Sequence, residues 1–249
     1  MLRDTRIIMG MPVTVCIADK GADHALLESC FQLFADVDAR FSTYKSDSEI
    51  SLINAGKVRM DALSALMTEV FALAEKTRIE SGGYFDICRP DGSIDPSGIV
   101  KGWAIHNVAR RLKASGAFNF FVDAGGDVQA SGKAAHGGDW MTGIRHPFDE
   151  NAIIETVRLN GSGIATSGNY VRGSHIYNPH DPQSGTGQAV SLTVIGPDVL
   201  EADRFATAAF AMGEDGIYFI EDMPDLEGLL VTADGIMTKT TGFGAFVVQ

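Results

Sequence analysis

Residues 155–168 read ETVRLNGSGIATSG, two short runs of β-branched and polar residues separated by Asn160 and a glycine-rich break. Gly and Asn punctuate strands because they take up turn conformations that other residues avoid. Similar runs recur on both sides, at 120–128 (FFVDAGGDV), 141–147 (MTGIRHP), 191–197 (SLTVIGP), 228–240 (GLLVTADGIMTKT) and 244–248 (GAFVV). We expect these runs to pair largely as antiparallel sheet.

Helical periodicity surrounds and interrupts this β-rich region. Residues 11–18 (MPVTVCIA) predict an early strand, because they are apolar and rich in β-branched side chains. Apolar stripes and glycine stop signals predict four helices, over residues 22–41, 62–81, 98–114 and 200–212. Helices beside an antiparallel sheet define the α+β class.

Length and charge limit the kinds of protein that this chain can be. At 249 residues, it is long enough for one large domain or two merged subdomains. Its 20 basic and 32 acidic residues give a net charge of −12, which argues against nucleic acid and anionic membranes as partners. No run of about 18 apolar residues is present to span a bilayer.

Cysteine usage and the N-terminal residues suggest a compartment. Cys16, Cys30 and Cys88 are far apart and form no C-x-x-C pair, so we expect reduced, buried thiols. The first ten residues lack the apolar run of a signal peptide. The chain as it stands therefore predicts a cytoplasmic protein, or a periplasmic one if a leader has been removed.

Two oxygen-bearing residues on one predicted helix are candidates for a metal site. Asp203 and Thr207 are four positions apart, so they project from the same helix face. Carboxylate and hydroxyl oxygens are hard donors that suit Mg²⁺. A helix-start aspartate and a threonine that faces core or solvent would give the same pair, so the pattern alone leaves both interpretations open.

Three further segments combine glycine with polar residues. Asp95 to Gly102 reads DPSGIVKG at a predicted helix entry, where free N–H groups favour phosphate but where a simple N-cap is the alternative. The paired glycines of 122–127 (VDAGGD) permit close backbone approach to a ligand, or merely a hairpin turn. Residues 166–170 and 175–179 place hydroxyls and the imidazole of His175 in a loop.

Taken in order, these segments resemble one family, the flavin transferases of the ApbE type, which move FMN from FAD onto a protein Ser or Thr. The similarity extends over nearly the whole chain. The matching segments are Met9-Gly10-Met11, FSTY at 41–44 with SEIS at 48–51 and Asn54, SGGYFD at 81–86, DPSGIVKG at 95–102, AGGD at 124–127, ATSG at 165–168, HIYNP at 175–179 with Gly185, and ADRFATA at 202–208.

The resemblance implies a fold and a set of roles. The implied fold is T-fold-related α+β, with mixed, largely antiparallel sheets and flanking helices, in a single compact domain (1–249) of two intimately packed subdomains. Asp203 and Thr207, with a main-chain oxygen near Gly98, would bind Mg²⁺, and His175 would be the catalytic base. The residues expected around FAD are Met9, Tyr44, Tyr84, Phe85, Asp86, Asp95, Lys101 and Ile176, with close contacts from Gly125, Gly126, Asp127, Thr166, Ser167 and Gly168.

The implied substrate is FAD and the implied partner is an acceptor flavoprotein, with the chain acting as a monomer or homodimer. The sequence also departs from the family pattern. Eight residues separate Asp86 from Asp95, where the family usually carries several dozen, and Ala206 replaces the usual Ser. Two other functions therefore stand beside FMN transfer: a Mg²⁺-dependent FAD pyrophosphatase that releases FMN and AMP, and a non-catalytic FAD-binding or flavin-carrier protein.

Overall fold

Eight antiparallel strands form one continuous sheet, and the runs at 141–147 and 155–159 form a separate hairpin. The computed structural model describes residues 1–169, 176–181 and 185–248. The spatial order of the large sheet is β1-β2-β3-β4-β7-β8-β9-β10, and β5 pairs with β6 as a separate hairpin. The strands are β1 (Leu2–Ile8), β2 (Met11–Ile17), β3 (Phe120–Ala124), β4 (Asp127–Ser131), β5 (Trp140–His146), β6 (Asp149–Leu159), β7 (Gly163–Gly168), β8 (Ala189–Gly196), β9 (Glu227–Thr232) and β10 (Met237–Lys239). The α+β prediction is confirmed.

The predicted helices are confirmed with small shifts at their ends. The helices are α1 (His24–Phe41), α2 (Glu49–Asn54), α3 (Ala65–Glu80), α4 (Ser97–Ala114), α5 (Val199–Ala211) and α6 (Gly216–Glu221). Asp23, Ser64 and Asp198 cap α1, α3 and α5, because their side-chain oxygens accept the free N–H groups of the first turn. The short helices α2 and α6 and the first strand β1 were not predicted, since each is short or lacks a clear periodicity.

Three apolar clusters pack against this sheet. Helices α1, α3 and α4 cover the β2–β3 region, and Phe31, Phe34 and Trp103 are buried there. Helices α5 and α6 cover β8 and β9 around Phe205 and Phe210. The β5–β6 hairpin contributes to the third cluster, which also takes in residues of β4, β7 and β8. One sheet thus links both groups of helices, and the division into two subdomains stays a prediction.

The C-terminal segment differs from its sequence-based prediction. Residues 244–248 were expected to form a strand, but Phe243–Ala245 form a 3-10 turn. Pairing with β6 is limited to one bridge between Val157 and Val247. Phe243 is fully buried in the third cluster, and the turn is what brings its ring there. Phe246 and Val247 are only partly buried against this cluster, so the apolar composition of the run indicates packing and not strand conformation.

One cysteine prediction is wrong. Cys16 and Cys30 are buried free thiols as expected, whereas Cys88 is exposed. Cys88 lies in the short turn between Asp86 and Asp95, where its main chain forms a bridge to Ile94. A turn this short has no interior in which a side chain can be buried.

A buried arginine fixes α5 against α3. The guanidinium of Arg204 forms ion pairs with Glu80 and Glu201, and it lies 3.9 Å from the ring centre of Phe205. Arg204 is 2% exposed, so its charge depends on these carboxylates for compensation. This contact orients the helix that carries Asp203. None of the helices formed by the described residues is both long and apolar enough to cross a membrane.

Candidate active site

A cavity of about 660 Å³ opens between the large sheet, the start of α4, α5 and the β5–β6 hairpin. Its size and mixed polar and apolar wall are typical of a small-molecule site. Most of the residues predicted from the sequence line it: Tyr84, Phe85, Asp86, Asp95, Gly98, Lys101, Gly125, Gly126, Asp127, Thr166, Ser167, Gly168, Ile176, Asp203 and Thr207. The fold therefore brings together segments that are separated in the sequence by up to about half of the chain length.

A glycine beside this cavity joins α4 to α5. The Gly102 N–H donates a hydrogen bond to Asp203 Oδ2 at 2.7 Å. A Cβ atom on Gly102 would lie 2.6 Å from the Asp203 Cβ and 3.0 Å from the Val199 carbonyl oxygen. Glycine inside a helix costs about 1 kcal/mol against alanine. Here the missing side chain is what allows the two helices to approach.

Two buried carboxylates share one lysine beside this contact. Lys101 Nζ lies 2.6 Å from Asp127 Oδ2 and 3.8 Å from Asp203 Oδ1. Burial raises the pKa of Asp203 from its ordinary 3.8 to about 7, because the ionised form loses its hydration, and Lys101 opposes this shift. With both carboxylates ionised, the three groups carry a net negative charge. The cluster therefore attracts a further cation.

Hard oxygen donors surround Asp203 in the same place. The Thr207 hydroxyl donates to the Gly98 carbonyl at 3.2 Å and lies 3.4 Å from Ser167 Oγ. Among the residues that the structure describes, no three His, Cys, Asp or Glu side chains form a metal-binding group. A metal here would thus be held by one carboxylate, a hydroxyl and a main-chain carbonyl. This all-oxygen set fits Mg²⁺, which prefers oxygen ligands and retains several waters.

The glycine turn between β3 and β4 forms another part of the wall. Gly125 and Gly126 have φ values of 63° and 100°, which disfavour any residue with a side chain. A Cβ on Gly125 would also lie 2.9 Å from Met11 Sδ. Just beyond the turn, Asp127 Oδ1 accepts the Thr166 N–H at 3.1 Å, which ties β4 to β7. The hairpin interpretation is thus confirmed, and because both glycines line the cavity, their approach to a ligand stays a prediction.

The segment from Ser81 to Asp95 forms the opposite wall. The Phe85 N–H donates to Ser81 Oγ at 3.0 Å, and the Phe85 ring is buried near Gly98. Asp95 Oδ1 accepts the Ser97 N–H at 3.0 Å just before α4, but Pro96 occupies the N-cap position and no side chain caps this helix, so the N-cap interpretation of Asp95 is not confirmed. These contacts direct the N-terminus of α4 toward the cavity, where it offers partial positive charge to an anion.

Three predicted site residues are not part of the described cavity wall. Met9 lies in the β1–β2 turn with a φ of 55°, next to Gly10, which does line the cavity. Tyr44 is 98% exposed on the loop after α1. His175 lies outside the described residues, and Ile176, the next residue in sequence, lines the cavity. The roles of Met9, Tyr44 and His175 remain predictions.

Sequence reasoning missed several wall residues, notably Arg89, Asp123, Arg145 and Tyr177. Arg89 forms an ion pair with Asp95. Arg145 belongs to β5, which was predicted simply as a strand. No local signal distinguishes a strand that borders a cavity from one that does not, because this depends on long-range packing.

Gly102→Ala is expected to destabilise the fold by about 2 kcal/mol, because overpacking at a tight helix contact outweighs the gain in helix propensity. The loss is measurable as a lower midpoint of thermal unfolding by circular dichroism. Arg110→Ala, at an exposed position of the same helix, is the control and should melt like the parent chain. Equal melting of both variants would contradict the close α4–α5 packing.

The fold and the cavity define a class: an α+β protein in which oxygen donors and buried charges line a pocket large enough for a nucleotide. The ApbE family model matches residues 9–89 and 88–230. The chain therefore belongs to the ApbE family, as its motifs predicted.

Proteins of known name agree with this assignment. The FAD:protein FMN transferase of Haemophilus influenzae is 26% identical over 314 aligned residues, which cover 96% of this chain and 91% of that protein. The enzyme of the same name from Escherichia coli is 32% identical over 160 residues, covering 61% of this chain and 46% of its own length. The alignment thus spans about half of that relative.

Solved structures show the same architecture. The structure described as flavin transferase ApbE from Vibrio cholerae is 25% identical, with a TM-score of 0.84 over 98% of both chains. The ApbE protein from Thermotoga maritima has a TM-score of 0.86 at 21% identity, covering 100% of this chain and 99% of its own, and supports the fold alone.

Proposed function

We propose that this chain transfers FMN from FAD to a Ser or Thr hydroxyl of an acceptor protein and releases AMP, with Mg²⁺ as the required metal. Relatives across most of the chain length carry the name of this activity. The observation that carries the proposal is the meeting of Asp203, Thr207 and the Gly98 carbonyl at the α4–α5 contact. These oxygen atoms would form a cation site inside a cavity of nucleotide size.

Charge compensation supports FAD as the substrate. The FAD pyrophosphate brings two negative charges to a chain of net charge −12, so it needs local positive groups. Lys101, Arg89 and Arg145 line the cavity, and the N-terminus of α4 adds its dipole. Because Lys101 already neutralises one buried carboxylate, a metal ion on Asp203 and Thr207 would provide the remaining compensation.

Asp203, Thr207 and the Gly98 carbonyl would hold Mg²⁺, which would polarise the phosphoryl oxygens and stabilise the charge that develops during transfer. His175 accepts the proton of the acceptor hydroxyl. The hydroxyl oxygen forms a bond to the FMN-side phosphorus, while the bond from that phosphorus to the bridging oxygen breaks. AMP leaves with the bonding electron pair, and FMN remains on the acceptor through a phosphodiester link.

Hydrolysis of FAD to FMN and AMP is the second candidate function, with water in place of the acceptor. The short 87–94 turn favours it, because Asp95 N–H closes the turn onto the Ile87 carbonyl at 2.8 Å. The several dozen residues usual in the family at this point are replaced by a tight hairpin. Any acceptor surface formed by that insertion must be provided elsewhere or be missing.

One assay separates the possible activities. The protein is incubated with FAD and MgCl₂, with or without a Ser/Thr-containing acceptor, and AMP release and flavin fluorescence on a denaturing gel are followed. A fluorescent acceptor band together with AMP supports transfer. AMP with free FMN supports hydrolysis, and binding of FAD without AMP release supports the carrier function and contradicts both enzymatic proposals. Omission of MgCl₂ or addition of EDTA should stop AMP release.

A further inference from the structure

The strand β5 has a free main-chain edge that borders the cavity. Its inner edge pairs with β6, and the pairing register stops being regular after Ile144, where a bulge begins. Among the described residues, no other strand pairs with β5. Thr142, Gly143, Ile144 and Arg145 line the cavity, so this edge continues directly into its wall.

The direction in which the N–H and C=O groups of β5 point follows from the hydrogen bonds that β6 makes on the side away from β5. The Arg158 N–H donates to the Phe246 carbonyl at 2.8 Å, and the Val248 N–H donates to the Thr156 carbonyl at 2.9 Å. Thr156 and Arg158 therefore direct these groups away from β5. In an antiparallel ladder, the main-chain N–H and C=O groups of two paired residues either point toward each other or both point outward, away from the partner strand.

The β5 partners of those two residues are Gly143 and Met141. Their N–H and C=O groups consequently point away from β6, toward the free edge. No main-chain hydrogen bond from either residue to another described segment is present. An unpaired edge of this kind is a template for an added strand unless a proline, a charge or a covering segment blocks it.

The side chains of this face suit a polypeptide. Met141 is 58% exposed and Ile153 is 53% exposed, and Ile153 lies across Gly143, where a Cβ would come within 2.8 Å of its Cδ1. Arg145 and Arg158 project from the same exposed face, and Arg158 forms an ion pair with Asp139 at 3.2 Å. On a chain of net charge −12, Arg145 gives this edge a local positive charge that complements a segment with acidic residues.

We propose that the acceptor protein binds as an added strand along the free edge of β5, through an extended segment with acidic residues and a Ser or Thr placed beside Gly143. Main-chain hydrogen bonds give affinity in this mode of recognition, and side-chain contacts give selectivity. The inference rests on the proposed transferase function. It provides an acceptor surface that does not require the insertion missing between Asp86 and Asp95.

The test uses Met141→Pro, because proline removes the outward N–H without breaking a bond to β6. Met141→Ala is the matched control, since it shortens the same side chain and keeps the N–H. The probe is a library of synthetic 12-residue peptides with one fixed central threonine, incubated with the full chain, FAD and MgCl₂. Flavin-labelled peptides are recovered by fluorescence and sequenced by mass spectrometry, and the best labelled one is then used for kinetics.

We expect Met141→Pro to lower kcat/KM for the peptide about ten-fold relative to Met141→Ala, through loss of one main-chain hydrogen bond and obstruction of the edge. The dissociation constant for FAD should be the same in both variants. Recovered peptides should be enriched in Asp and Glu. Equal peptide kinetics in the two variants, weaker FAD binding in the proline variant, or a set of peptides without acidic enrichment would each overturn the proposed docking mode.

A second measurement does not depend on the folding of the proline variant. Amide hydrogen exchange of the parent chain, followed by NMR, should slow at Met141 and Gly143 when the labelled peptide is added. Unchanged exchange at both amides would contradict strand addition. A parent chain that labels no peptide in the library would instead count against FMN transfer itself, so the two failures are distinguishable.

Discussion

Asp203→Asn is expected to reduce Mg²⁺-dependent AMP release from FAD by about 10³-fold or more, a loss of the size typical of removing a central charge-stabilising group. The substitution removes the one negative charge from the oxygen atoms proposed to bind Mg²⁺, but it keeps the shape of the side chain. Asparagine Oδ1 can still accept the Gly102 N–H, so the α4–α5 contact is retained. AMP production measured over a range of MgCl₂ concentrations tests this directly.

The same substitution has an opposite effect on the stability of the metal-free protein. In the unfolded chain Asp203 ionises near its ordinary pKa of 3.8, whereas in the folded chain burial holds the proton to about pH 7. The unfolded state therefore binds fewer protons between these values, and stability falls as pH rises from about 4 to about 7. Asp203→Asn removes this cost, so its thermal unfolding midpoint should be higher than that of the parent at pH 8 in EDTA.

The difference should shrink as the pH falls below 3.8, because the parent carboxyl is then increasingly protonated in the unfolded state as well as in the folded one. Added MgCl₂ at pH 8 should raise the melting temperature of the parent and leave that of Asp203→Asn unchanged, because binding to the native state alone stabilises it. Asp222→Asn, at an exposed position, is the matched control for loss of one carboxylate. Retention of a Mg²⁺-dependent melting shift in Asp203→Asn would remove Asp203 from the metal site.

His175→Ala is expected to slow FMN transfer by about 10²–10⁴-fold, the range typical of losing a general base. FAD affinity should be retained, since the proposed role of His175 is to take a proton from the acceptor hydroxyl. Single-turnover transfer and equilibrium FAD binding measure the two effects separately.

His136→Ala provides the control for this experiment, because His136 is an exposed histidine in a turn between β4 and β5. The parent enzyme should lose activity as its base is protonated at low pH, and that limb of the pH–rate profile should be absent from the residual activity of His175→Ala. A transfer rate in His175→Ala equal to that of the parent would exclude His175 as the base.

Local patterns predicted the helices well because each helix carries its own signals. Helix α5 has an aspartate cap, an alanine-rich apolar face and a glycine just beyond its end, all within about fifteen residues. The segment 244–248 has no such signals, and its apolar residues were misread as a strand. Cys88 was misread for a similar reason, since burial in a turn depends on what covers it.

The chain order of short motifs was enough to identify the family and most of the cavity wall, because glycine turns and helix starts impose their geometry locally. The pairing of Asp203 with Thr207 also follows from helical periodicity. In contrast, the approach of Gly102 to Asp203, the lysine shared by two buried carboxylates and the position of β5 at the cavity depend on contacts between distant segments. Burial, and with it the raised pKa of Asp203, arises when helices and sheet exclude water together, so tertiary packing alone decides it.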